Sequence, residues 1–289
     1  MSRLVLFFIR LLARLPLCVL YGLSDSVLYP TMRYVVGYRR DVVEKNLAFA
    51  FPDKSDAERL TIEKAFYHQL CDVLIETIKM SRMTYEELQH HFEWQNLDEV
   101  KDVCRQTGRS ALCYFAHYGS WEWAIGCTNP DAGVPTAIIY SRLHNTVFND
   151  QMLQLRARYG CKPIYMQTVS EELQQAIQQH GPHIVMAMAD QLPKEQYVRH
   201  FHRFMGVKTK VLTGTEQLIR KFGMTAFYCR VERVRRGYYT CHAERLDTPT
   251  EEGGAVSEWP ITDAYFDRLQ EQIYQQPALW LWSHDRWHR

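Results

Sequence analysis

The sequence predicts an α/β fold, with a mostly parallel central sheet flanked by helices and an N-terminal membrane-associated helical segment. Three observations carry this. Short apolar runs of strand length recur from residue 110 onward, stretches of helical spacing separate them, and the first 23 residues form an apolar segment punctuated by arginine.

The first element is "MSRLVLFFIRLLARLPLCVLYGL". Arg10, Arg14 and Pro16 break it, so no run reaches the roughly 18–20 apolar residues of a clear membrane span. No small-residue cleavage site follows a clean apolar core, so a cleaved signal peptide is not expected. Arg3, Arg10 and Arg14 gather on one side of a helix, with Leu and Phe filling the rest. Such a helix suits the surface of an anionic leaflet, its arginines snorkelling to the headgroups. A core helix with a basic edge and a tilted span are the alternatives. Residues 1–35 are accordingly expected to form the membrane-associated helical region and residues 36–289 the main domain.

The second element is a helix over 55–81. Ser55 and Glu58 have the spacing of a capping box, and Leu60, Ala65, Leu70, Val73, Leu74 and Ile78 follow a helical period. A further helix is expected over 84–105. The texture then changes. "SALCYFA" (110–116), "VPTAIIY" (134–140), "HIVMAMA" (183–189), "TAFYCRV" (225–231) and "GYYTCHAERL" (237–246) read as strands, with helices between them at 144–159, 170–180 and 211–222. Strands alternating with helices imply a sheet covered on both faces.

A chain of 289 residues, 46% hydrophobic and 23% charged, can bury a sizeable core, and nothing in this composition indicates disorder. The net charge of +1 conceals local imbalance. Residues 1–45 carry seven Lys/Arg against three Asp/Glu, 199–236 carry ten against two, and 247–271 carry one against seven. The basic regions suit anionic partners or simply a solvated surface. The eight cysteines show no CxxC spacing and sit mostly in apolar runs (Cys18, Cys113, Cys127, Cys229), as reduced, buried thiols do.

"SALCYFA" delivers His117 to the carboxyl end of a strand, the edge of an open α/β sheet where ligands usually bind. Glu122 lies five residues on. On one straight helix that spacing is about 140° of rotation, so the two meet only if the chain turns between them, which Gly119 permits. A carboxylate on one imidazole nitrogen fixes the tautomer and supports the proton taken by the other, the base-and-orienter half of a triad. A purely structural histidine fits the pattern equally well. Ser120 lacks the second glycine of G-x-S-x-G, so a hydrolase elbow is not supported. No H-E-x-x-H occurs, and "HFH" at 200–202 has nothing nearby to complete a metal site. No nucleotide-binding glycine motif is present, and no nucleic-acid partner is expected.

"HYGSWEW" resembles the H-x4-D/E block of the bacterial lipid A biosynthesis (lauroyl/myristoyl) acyltransferase family. Other blocks resemble that family in its order: "RRDVVEKNLAFAFPDKSDAER" (39–59), "YSRLHN" (140–145) with "RARYG" (156–160), "MADQ" (188–191), "FMGVKTKVLTG" (204–214) and "LWLWSHDRWHR" (279–289). H-x4-[DE] alone is weak; the ordered set is specific. One departure is Ser120, where family members often carry Asn.

The resemblance implies a glycerolipid acyltransferase-like fold and acyl transfer from a thioester of acyl carrier protein or coenzyme A to a lipid hydroxyl. It implies no further cofactor, and no metal. The expected location is the cytoplasmic face of the bacterial inner membrane. His117 would deprotonate the acceptor hydroxyl, Glu122 would orient the ring, and backbone N–H groups near Gly119 would steady the oxyanion. Arg142 is the candidate for a phosphate or anionic headgroup, with Arg156 or Arg158 adding to that site; an ordinary surface arginine is its alternative. Asp190 and Gln191 would bind acceptor hydroxyls or brace the site, Asp190 alternatively capping a helix. Ser120 bears on acceptor choice. The basic stretch 199–236 could dock the carrier protein or the leaflet, and Trp121 and Trp123 either line an acyl slot or belong to the core. A lyso-lipid of glycerol or ornithine type is the alternative acceptor, and a catalytically silent scaffold the alternative class.

Overall fold

The computed structural model describes residues 3–126, 128, 133–247 and 257–287, with side chains from Phe7 onward. Cys127, His288, Arg289 and part of the acidic stretch, 248–256, lie outside the described residues.

Helices α1 (Arg3–Leu12) and α2 (Leu17–Leu23) are separated by the break at Pro16, and wide helical turns follow at Ser24–Leu28 and Thr31–Val35. Arg14 falls in the turn before Pro16, so it does not share a helix with Arg10 as the spacing suggested. No helix among the described residues is long and apolar enough to cross a membrane. Phe7, Phe8 and Leu11 are nonetheless about half exposed, and Val35 is 80% exposed.

Next come α3 (Arg40–Ala50) and the long α4 (Asp56–Met80), whose Ser55–Glu58 capping box forms as expected. The N-terminal turns are fastened to α4 by polar bonds. Arg33 grips Glu63 at 2.7 Å with both partners buried, and Ser24 donates to Asp72. The helix expected over 84–105 is three elements: α5 (Tyr85–His91), the short β1 (Phe92–Trp94) and α6 (Leu97–Thr107).

The alternating half contains β2 (Ala111–Phe115), α7 (Trp121–Gly126), β3 (Thr136–Tyr140), α8 (Thr146–Arg158), β4 (Lys162–Tyr165), α9 (Val169–His180) and β5 (Ile184–Met188). After it come the hairpin β6 (His200–Phe204) and β7 (Val207–Val211), helix α10 (Gly214–Phe222), the strands β8 (Thr225–Arg235) and β9 (Tyr238–Arg245), and α11 (Pro260–Gln275). Seven strands form one sheet in the order β1-β9-β8-β2-β5-β3-β4, parallel except where β8 meets β9; β6 and β7 form a separate antiparallel pair. The predicted mostly parallel, helix-flanked sheet is therefore present. Strands β2 and β5 are central and almost fully buried, as expected of strands covered on both faces.

The cysteines follow the expectation with one exception: Cys71, Cys104, Cys113, Cys161, Cys229 and Cys241 are free and buried, whereas Cys18 is free and exposed.

Candidate active site

Register builds the site. Strands β2 and β5 pair in parallel with Phe115 opposite Met188. Each strand continues through one alanine to a polar residue, His117 on one and Asp190 on the other. Two residues beyond paired partners, these side chains stand side by side at the carboxyl edge of the sheet. His117 Nδ1 lies 2.8 Å from Asp190 Oδ1, and the His117 backbone N–H donates to Oδ2 at 3.1 Å. The Trp280 indole N–H also donates to Oδ2, at 3.0 Å. An ionised carboxylate only accepts, so Nδ1 carries a proton, and in the neutral ring the lone pair therefore lies on Nε2. Burial opposes ionisation of Asp190, but the charge of His117 and these hydrogen bonds outweigh it and hold the carboxyl below its ordinary 3.8. Asp190 is buried and the His117 side chain is 19% exposed, so the open side of the pair is the imidazole.

Gln191 stands at that open side, its side-chain amide 3.4 Å from His117 Nε2, where a long donated bond could yield to an incoming hydroxyl. Trp121 packs edge-on against the imidazole at 5.4 Å, whereas Trp123 is fully buried and its indole N–H donates to the Glu76 carbonyl. Of the two tryptophans, Trp123 belongs to the core and Trp121 flanks the site.

Glu122 does not touch His117. Its two oxygens accept from the Arg156 guanidinium, at 3.1 Å from Nε and 2.7 Å from Nη2. The turn at Gly119 starts α7 in a direction that carries Glu122 towards the end of α8, where a bidentate guanidinium satisfies it. Arg156 is thereby withdrawn from the expected anion site; burial opposes its charge, and Glu122 more than restores it. Arg158 is spent on backbone carbonyls of Ser81 and Met83 at the α4–α5 junction. Arg142 is exposed just past β3, its guanidinium 4.4 Å above the Tyr165 ring. The structure brings neither Arg142 nor Arg158 to His117.

Gly119 has φ +59°, and a Cβ there would sit 3.2 Å from Val231 and 3.3 Å from Tyr239. The glycine is required for the turn, as expected, but its N–H donates to the Leu279 carbonyl at 3.0 Å and is not available to an oxyanion. Ser120 is buried and bonds the Glu76 carboxyl. Glu76 also accepts from Tyr21 at 2.8 Å and Tyr239 at 3.1 Å, and burial pushes its carboxyl up to about 7.

The C-terminal block that begins at Leu279 holds this arrangement in place. Tyr118 forms a bridge with Trp280, and the Leu281 N–H donates to the His117 carbonyl at 3.0 Å. Asn46 on α3 donates to the carbonyls of Trp282 and His284, at 2.8 and 2.7 Å. His284 Nε2 accepts from the Leu192 N–H at 2.9 Å, and burial pushes this imidazole down to about 4. A chain of contacts thus runs from Asn46 through the C-terminal block and Trp280 to Asp190 and His117. The histidines of "HFH" are satisfied by acids: His200 by Asp263 at 2.7 Å, His202 by Asp263 and Asp267 at 3.0 and 2.9 Å. Those carboxylates push the His202 imidazole up to about 9 against the opposing effect of burial.

The sequence pattern of the bacterial lipid A biosynthesis acyltransferases matches residues 1–289, the whole chain. The chain belongs to this family. A comparison with curated proteins gives no match. Family membership makes the protein an acyltransferase, with a lipid acceptor and an acyl thioester donor. In this acyltransferase the family's H-x4-E block supplies two separate pairs: its histidine joins Asp190 and its glutamate joins Arg156.

Proposed function

We propose that the protein transfers a fatty acyl chain from acyl carrier protein or coenzyme A to a hydroxyl of a lipid A precursor, with His117 as general base. The His117–Asp190 pair carries this reading: a tautomer held by a buried carboxylate with the other ring nitrogen at the open edge. The acceptor hydroxyl gives its proton to Nε2 as its oxygen attacks the thioester carbonyl. The new ester bond forms, the C–S bond breaks, and the leaving thiolate takes the proton from the imidazolium. Asp190 stabilises that imidazolium and keeps the ring oriented. Gln191 positions the hydroxyl. Glu122 acts through Arg156 as a positioning residue, fixing α7 and with it Trp121 against the imidazole.

Association with the cytoplasmic face of the inner membrane is part of the same proposal. It is supported by the exposed apolar side chains Phe7, Phe8 and Leu11 beside the exposed Arg10 and Arg14 in the sequence, and by the exposed Val35. The test is mass spectrometry of membrane lipids from cells producing the wild type, His117→Ala or no protein. A lipid A species gaining one acyl chain only with the wild type supports the proposal; gain on a glycerol or ornithine lipid instead would reassign the acceptor. An unchanged lipid profile with wild type and a folded His117→Ala alike would point to a silent scaffold.

A further inference from the structure

Arg286 is a charged side chain buried in the C-terminal block. It is fully buried, and none of its three guanidinium nitrogens has a hydrogen-bond partner among the described residues. Its side chain packs with the guanidinium carbon 5.4 Å from the centre of the Phe266 ring. Nearby Asp190 favours the charge, but its oxygens are engaged by His117 and Trp280. Burial pushes the guanidinium down to about 10. A buried cation without a partner is costly, and hydrophobic residues of similar volume usually replace such groups without loss.

Arg286 forms part of the wall of a cavity of about 470 Å³ between the β6–β7 hairpin and the C-terminal block. Lys208 and Lys210 line it from the hairpin, and Thr209 ties the two walls together by accepting from the Trp287 indole at 2.8 Å. Lys210 is paired with Glu195, while the Lys208 ammonium lies 4.9 Å above the Phe201 ring. Leu192 also lines the cavity and directly follows Gln191 in the chain, and Asp190, the partner of His117, is close enough to act on the charge of Arg286. Two lysines and an unsatisfied guanidinium fork around one cavity suit a compact anion with several acceptor oxygens.

We propose that this cavity binds a phosphate ester of one of the two substrates, with Arg286 as its inner ligand and Lys208 and Lys210 at its mouth. The phosphate belongs either to the headgroup of the lipid acceptor or to the phosphopantetheine arm shared by the two thioester donors. This assignment of the phosphate's source rests on the function proposed above; the anion site itself does not.

The experiment has a binding arm and a kinetic arm, using the full chain as wild type, Arg286→Met and Lys208→Gln. In the binding arm, pyrophosphate is titrated and Tm followed. The wild type is expected to gain Tm with pyrophosphate, Arg286→Met to lose that gain while its own Tm without ligand equals or exceeds the wild type's, and Lys208→Gln to show a reduced gain. In the kinetic arm, Arg286→Met is expected to raise one KM about tenfold or more. A raised acceptor KM that erases the advantage of a phosphorylated lipid over its phosphatase-treated form assigns the headgroup. A raised KM for acyl-phosphopantetheine assigns the donor. Should the wild type transfer no acyl group at all, the function proposed above fails while the binding arm still decides the site. An equal pyrophosphate effect in wild type and Arg286→Met, or a folded Arg286→Met with both KM values unchanged, would overturn the proposal.

Discussion

Two acid–base pairs arise from one short stretch of chain, and they do different things. His117 and Asp190 meet at the carboxyl edge of the sheet, with one imidazole nitrogen left open. Glu122 and Arg156 meet between α7 and α8, both largely buried and bonded to each other through two contacts. The first pair has spare valence facing outward, which chemistry needs. The second turns its two bonds inward and holds elements together. Spacing in sequence suggested a single dyad; the strand register and the direction of α7 make two.

The largest expected effect separates the pairs by activity. His117→Ala and Asp190→Asn should each lower kcat/KM about 10²–10⁴-fold, the scale of a lost general base or a misdirected tautomer. Their melting curves should stay cooperative. Measuring kcat/KM alongside thermal unfolding checks this.

The second pair should answer mainly in stability. Glu122→Gln leaves Arg156 buried without its counter-charge and should cost about 3–5 kcal/mol in denaturant unfolding. The double variant Glu122→Gln, Arg156→Met should recover much of that loss, because no charge is then stranded. If the double variant is no more stable than Glu122→Gln, the pairing is wrong.

A smaller effect concerns the C-terminal block that braces the first pair. His284 is held neutral in the fold, its ordinary value of 6.5 pushed down to about 4. The unfolded chain therefore binds the extra proton first as pH falls. Stability is complete above pH 6.5 and declines between 6.5 and 4, by on the order of 2 kcal/mol after allowance for the partly exposed ring. His284→Gln should flatten that slope in unfolding experiments run from pH 7 to 4. The smallest effect is at the turn dividing the pairs: Gly119→Ala must adopt φ +59° against Val231 and Tyr239, and should cost about 1–2 kcal/mol.

Much of this was legible in the sequence. Strands β2, β3, β5, β8 and β9 and the helices α4, α8, α9 and α10 lie where hydrophobic periodicity and the Ser55–Glu58 box indicated. The missed pieces have physical causes. Strand β1 has three residues and follows a capped helix, so the helical pattern runs through it. Strand β4 contains Pro163, and the β6–β7 hairpin alternates with basic residues that read as surface. Part of the basic stretch is in fact paired: Lys210 with Glu195, Arg220 with Glu216, Arg230 with Glu244, and Arg236 with Asp25 and Asp72. Asp190 was recognised as a site residue without its partner, because the partner lies 73 positions away and only register joins them. A signal was present: "CYFAH" and "MAMAD" each follow a buried strand with one alanine and then a polar residue. For Trp280, Asn46 and Arg286 no local pattern marks the role, since each acts through contacts far along the chain.

The most direct test of the wiring is the Nδ1-bound imidazole proton of His117, followed by NMR in ¹⁵N-histidine-labelled protein. A protected, downfield signal should be present in the wild type, retained in Glu122→Gln and lost in Asp190→Asn. A signal that survives in Asp190→Asn and disappears in Glu122→Gln would contradict the assignment of Asp190 as the residue that orients His117.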